Sequence, residues 1–132
     1  MMEPVVRLMV PCEDARIRKG TRNKVDILGV ITTIGAPANA FPARVSFSVY
    51  LCFTDGHGPG SGKITIADDE TDEIVFDGEP RPVDFGNAPT AFFGSTITIP
   101  MCQFPNPGLY RIDFVYNEFS IKSCFVLLRE TP

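Results

Sequence analysis

Between residues 45 and 54 the chain alternates without a break, with Val45, Phe47, Val49, Leu51 and Phe53 on one phase and Ser46, Ser48, Tyr50, Cys52 and Thr54 on the other. Successive side chains of a strand point to opposite faces, so period two over this length makes a half-buried strand of a sandwich. A helix would scatter the same apolar groups around its circumference. Punctuation elsewhere agrees: 12 Pro and 11 Gly fall at short intervals, which favours short strands joined by many turns.

The remaining segments read the same way. Residues 4–12 form a first strand with Val6, Leu8 and Val10 on one face and Cys12 in the same phase, which predicts a buried Cys12. Residues 24–34 are apolar on both phases, as in a central strand covered on both sides or one bulged near Gly29. Residues 35–42 are a loop by composition, and the glycine-rich turn 55–62 precedes two short strands, 63–67 and 74–77. The segment 78–90, with Pro80, Pro82 and Pro89, is expected to cross irregularly, because proline cannot donate to a ladder. Residues 91–101 alternate again. Tyr110, Ile112, Phe114 and Tyr116 then share one face, Asn117-Glu118 make a tight turn, and Phe119, Ile121, Phe125 and Leu127 share a phase in the last strand. No segment carries a helical period beyond a turn or two. The expectation is one domain, residues 1–132, all-β, an immunoglobulin-like sandwich of two sheets and about seven to nine antiparallel strands.

Composition narrows the function classes. The formal net charge is −4, and a nucleic-acid binder would show a basic excess, because phosphate neutralisation supplies most of its affinity. The basic stretch Arg16, Arg18, Lys19, Arg22 and Lys24 is interrupted by Gly20 and Thr21 and reads as a solvated hairpin loop. No apolar run approaches the roughly 20 residues of a membrane-spanning helix. Glu3 and Arg7 interrupt the N-terminal apolar stretch, so no signal peptide is indicated. Cys12, Cys52, Cys102 and Cys124 lie far apart, unlike the close pairs of a zinc or redox motif, and without a signal peptide they are expected as reduced thiols in a cytoplasm.

The stretch Asn106-Pro107-Gly108-Leu109-Tyr110-Arg111-Ile112-Asp113-Phe114 resembles the Pro-Gly-x-Tyr entry to a late strand of immunoglobulin-like sandwiches, whose tyrosine hydrogen-bonds back across a corner. The chain has no Trp, and Ile112 stands where an antibody-type domain has cysteine. Over nearly the whole length the chain is similar to a family of small, standalone bacterial sandwich proteins known only as a domain of unknown function. An early strand, Lys24-Val25-Asp26-Ile27-Leu28-Gly29-Val30, Phe41-Pro42-Ala43 and Phe104-Pro105-x-Pro107-Gly108-x-Tyr110-Arg111 carry that similarity by their order. It implies a fold and a bacterial cytoplasmic setting and brings no catalytic residues.

Candidate chemistry is sparse. His57 is the only histidine and sits between glycines, which excludes a two-histidine metal site; with Asp55 it makes at most a ligand-facing loop. The run 68–73 offers Asp68, Asp69 and Asp72 as weak metal candidates, since sandwich loops can chelate Ca²⁺ through several oxygens, but it lacks the spacing and glycine of an EF-hand, and the mutual repulsion of its carboxylates favours a solvated turn. No nucleophile elbow, phosphate loop or dinucleotide fingerprint is present, so no catalytic residue and no cofactor is assigned. Cys52 and Cys124 fall opposite the apolar phase of their strands and are expected as exposed thiols or as part of a covered interface. The leading expectation is a non-catalytic module that binds another protein or a second copy of itself through loops or sheet edges. The alternatives are a loop-based binder of Ca²⁺ or carbohydrate and, weakest, a hydrolase.

Overall fold

The computed structural model describes residues 3–21, 24–87 and 92–132. The described strands are β1 (Val5–Ile17), β2 (Val25–Val30), β3 (Thr33–Pro37), β4 (Ala43–Thr54), β5 (Pro59–Asp68), β6 (Ile74–Asp77), β7 (Arg81–Asp84), β8 (Phe93–Phe104), β9 (Gly108–Tyr116) and β10 (Phe119–Thr131). They form two sheets, one ordered β2-β1-β4-β8 and the other β3-β10-β9-β5-β6, with β7 paired to the first half of β5. The only helical element described is a three-residue 3-10 turn, Ala38–Ala40. The all-β, two-layer expectation holds.

The core lies between the layers and follows the alternation of β4 and β9. Phe47, Val49, Leu51 and Phe53 meet Tyr110, Ile112, Phe114 and Tyr116, with Ile64 and Ile66 from β5 beside them, all at most 3% exposed. Each such side chain withdrawn from water contributes about 1.5–3 kcal/mol. The Tyr110 hydroxyl donates to the carbonyl of Asn106 at 2.7 Å, which is the corner bond that its sequence context implied. Asn117 and Glu118 both adopt positive φ, at 48° and 75°, as the two-residue hairpin between β9 and β10 requires.

Four local readings are corrected. The stretch 24–34 is not one central strand. β2 lies at the edge of the first sheet and β3 at the edge of the second, and the chain changes sheets at Ile31 and Thr32 after a positive φ at Gly29. β3, within a segment read partly as loop, runs parallel to β10, from Thr33 opposite Leu127 to Pro37 opposite Thr131, so the sandwich is not wholly antiparallel. β7 forms inside the proline-rich crossing segment, because Pro82 sits opposite Ser61 in a short strand bound on one side only. Together β3 and β7 bring the described strands to ten.

The fourth correction concerns phase. A register shift between Ser120 and Lys122 reverses the inward face of β10, so Val126 and Leu128 are buried at 1% while Phe125 and Leu127 face out. A shift between Val6 and Leu8 does the same in β1: Val6 and Met9 are buried and Leu8 is exposed. Cys12 is fully buried as expected, but it lies opposite Ser48, on the sheet face away from the main core.

Candidate docking edge at β8

The residues flagged in the sequence are placed as follows. Asp55, at a positive φ of 65°, turns its carboxylate toward β1, where it takes a charged bond from Arg7 at 2.9 Å and a hydroxyl bond from Thr54 at 2.8 Å. His57 is exposed and has no hydrogen-bond partner among the described residues, so the two side chains form no joint site. Asp68 accepts the backbone N–H of Glu70 at 2.9 Å and of Thr71 at 3.2 Å, which closes the loop on itself. Asp69 and Asp72 reach Arg111 of β9, at 3.3 and 3.0 Å. Among the described residues no group of three or more His, Cys, Asp or Glu side chains stands in an arrangement that could hold a metal ion.

Two arginines of the basic arm are paired within it. Arg16 pairs with Asp14 at 2.8 Å, and Arg18 grips Asp26 through two nitrogens at 2.5 and 3.2 Å. Each arginine, through its hydrogen bond, holds its aspartate below the usual carboxylate range. Arg22 lies outside the described residues, as does Pro89 of the crossing segment. Of the thiols expected to be exposed, Cys52 and Cys124 are half-buried, and Cys124 packs against the core because the β10 register shift turned it inward. Burial, followed by the neighbouring Asp113 charge, pushes the Cys124 thiol up to about 12.

What remains open is a strand edge. Among the described residues β8 is the outermost strand of the first sheet and is bound on one side only, to β4, from Phe53 opposite Phe93 through Phe47 opposite Ile99. None of its twelve residues is charged. Natural edge strands are commonly blunted by lysine, proline or a bulge. In β8 these devices come late: Pro100, and a register shift beside it with Met101 at a φ of 47°, leave Phe93 to Ile99 in unbroken register with β4.

Two cavities open beneath this edge, where the sheets face each other without being joined. One, of about 190 Å³, has a floor of Leu51, Phe53, Ile97 and Phe114, with Ser95 and Arg81 among its lining residues. The second, of about 250 Å³, is lined by Phe76, Ile97 and Pro100 with Lys63, Asp77 and Glu79. Gly62 lines both; a Cβ there would come within 2.8 Å of the Phe114 ring. Arg81 lines both as well and has no ion-pair partner among the described residues, whereas Lys63 is held by Asp77 at 2.9 Å.

The chemistry available here is main-chain pairing along β8, with apolar sockets below it and charged groups at the rim. The sequence reading named sheet edges in general but not this one. The signal was present, in an alternating run free of charge from Phe93 to Phe104.

Comparison with known proteins extends the picture in one direction only. A solved structure of a β-glucosidase from Listeria innocua, in complex with glucose, superposes with a TM-score of 0.54 at 10% identity; it matches 98% of this chain, which spans 16% of that enzyme. A likeness this remote speaks for the fold. No curated protein matches. A family sequence model, described as a family of unknown function (DUF6941), matches residues 7–125.

Proposed function

The chain belongs to the family of unknown function DUF6941, which passes on no activity, and we propose that it is a non-catalytic interaction module that engages another polypeptide along β8. The observation that carries this reading is the uncharged, unpaired edge from Phe93 to Ile99 above two apolar cavities. Strand addition to such an edge draws affinity from main-chain hydrogen bonds and specificity from sockets that take alternate side chains. The isolation of His57 and the engagement of Asp55 with Arg7 favour a binding role over a hydrolytic one. A cytoplasmic setting is supported by four cysteines with no bridge among them. The Tyr110 corner bond supports the immunoglobulin-like reading of the sandwich.

Native mass spectrometry of the protein taken from its own cells under reducing conditions, with and without Ca²⁺, tests the proposal. A bound polypeptide that is lost in Ser95→Lys is the expected result. A bare chain that gains calcium would move the function to the loop 68–73, and a bare chain in both conditions would overturn the module.

A further inference from the structure

Two polar side chains without partners project into the space between the sheets. Arg81 of β7 stands directly opposite Gly62 of β5, and residues opposite one another in an antiparallel ladder project from the same face. A Cβ at Gly62 would lie 2.8 Å from the Phe114 ring, so that face looks toward the other sheet. Arg81 therefore leaves β7 on its inner side, beside a neighbour with no side chain to cover it. Ser95 of β8 stands opposite the fully buried Leu51 and projects inward by the same rule. Both residues line the cavity of about 190 Å³.

Neither is answered by the protein. Arg81 and the Ser95 hydroxyl make no hydrogen bond or ion pair among the described residues. Asp84, the carboxylate of the same lining, accepts the Gly86 N–H at 2.9 Å and belongs to the other phase of β7. In the neighbouring cavity Lys63 and Asp77 hold each other, and Glu79 forms no ion pair with Arg81. The residues outside the described ranges include no Asp or Glu.

The walls of the cavity are aromatic. The Phe53 ring centroid lies 5.2 Å from that of Phe114 and 6.3 Å from that of Phe93, and all three rings line the space. An apolar cavity of about 150 Å³ accepts benzene, so this one has room for a single aromatic ring. A carboxylate matches the polar side, because the guanidinium fork takes its two oxygens and a serine hydroxyl donates a further bond. Apolar walls with a few placed polar groups are the usual construction of a small-molecule site.

We infer that the cavity between β7 and β8 binds a small aromatic carboxylate of the benzoate class, its ring against Phe53 and Phe114 and its charge on Arg81 and Ser95. The assignment uses side chains and not the main chain of β8, so it is tested apart from strand docking.

Calorimetric titration and amide-resolved NMR of the whole chain with sodium benzoate provide that test. Saturable binding is expected, with the Gly62, Val83 and Ser95 signals moving together. Acetate has the charge without the ring and benzyl alcohol the ring without the charge, and each should bind less tightly than benzoate. Arg81→Met should weaken benzoate binding at least about tenfold. Its melting temperature should stay unchanged, because Arg81 is exposed and holds no other group. Arg81→Lys should keep part of the affinity. Absence of saturable binding overturns the inference, as do equal binding of benzoate by Arg81→Met, benzyl alcohol binding as tightly as benzoate, or signals that move only elsewhere. A peptide ending in phenylalanine that binds more tightly than benzoate also overturns it, by assigning the cavity to chain ends.

Discussion

Arg111 donates through Nε to Oδ2 of Asp113 at 3.0 Å, two residues along the same strand and on its outer face. The same guanidinium reaches Asp72 and Asp69, so one cation from β9 ties down the acidic loop between β5 and β6. Asp113 is only 8% exposed and also accepts hydroxyl bonds from Ser120 and Ser123, while Arg111 is its one cationic partner among the described residues.

Arg111→Met removes the partner and keeps the buried carboxylate. Losing its cation costs such a buried charge about 1–3 kcal/mol, a fall in Tm of roughly 4–11 °C for a chain of this size. Arg111→Met combined with Asp113→Asn should recover part of the loss. Calorimetry of the single and double variants measures both, and an unchanged Tm in the single variant would show that the cluster contributes nothing.

Calcium is expected to leave the melting temperature unchanged. A cation at the loop would have to displace Arg111 from Asp69 and Asp72 and break the backbone bonds of Asp68. Binding to the folded form alone would raise stability by RT ln(1 + [L]/Kd), so a Tm that climbs with added Ca²⁺ would restore the loop as a site.

Gly60 and Tyr116 form a matched pair. A Cβ at Gly60 would sit 2.0 Å from the Tyr116 hydroxyl, which is buried and has no hydrogen-bond partner among the described residues. Gly60→Ala should therefore cost about 1–3 kcal/mol through overpacking. Tyr116→Phe deletes an unsatisfied buried hydroxyl and should be neutral or stabilising, and it should soften the effect of Gly60→Ala. Denaturant melts of the two single variants and the double variant check the coupling; strict additivity would refute it.

Burial raises the Cys102 and Cys124 thiols from 9.0 to about 12, with the Asp113 charge adding to the effect at Cys124. A folded pKa raised above the unfolded one contributes stability in full below pH 9.0, and that stability is lost as pH climbs toward 12. Thermal stability should accordingly decline through this alkaline window, and less so in Cys124→Ala. Near neutral pH neither thiol should take up an alkylating reagent in the folded state; intact-mass analysis showing rapid modification of Cys124 would contradict its inward placement.

The sequence by itself determined most of the strands and much of what they bury. In β4 and β9 an unbroken period of two admits one inward face, and the alternation from Phe47 to Phe53 and from Tyr110 to Tyr116 is found in the core as read. The corner bond of Tyr110 and the Asn117-Glu118 hairpin were equally legible, because each depends on neighbours within a few residues. Tertiary structure decided the rest. Register shifts in β1 and β10 exchanged inner and outer faces, since one extra residue in a ladder reverses every side chain beyond it and leaves no mark in composition. Pairing decided that β3 joins β10 in parallel and that the carboxylates of 69 and 72 meet Arg111. It also decided that β8 ends its sheet. A strand is an edge only by virtue of what fails to lie beside it, and that is a property of the assembled sheets, not of Phe93 to Phe104.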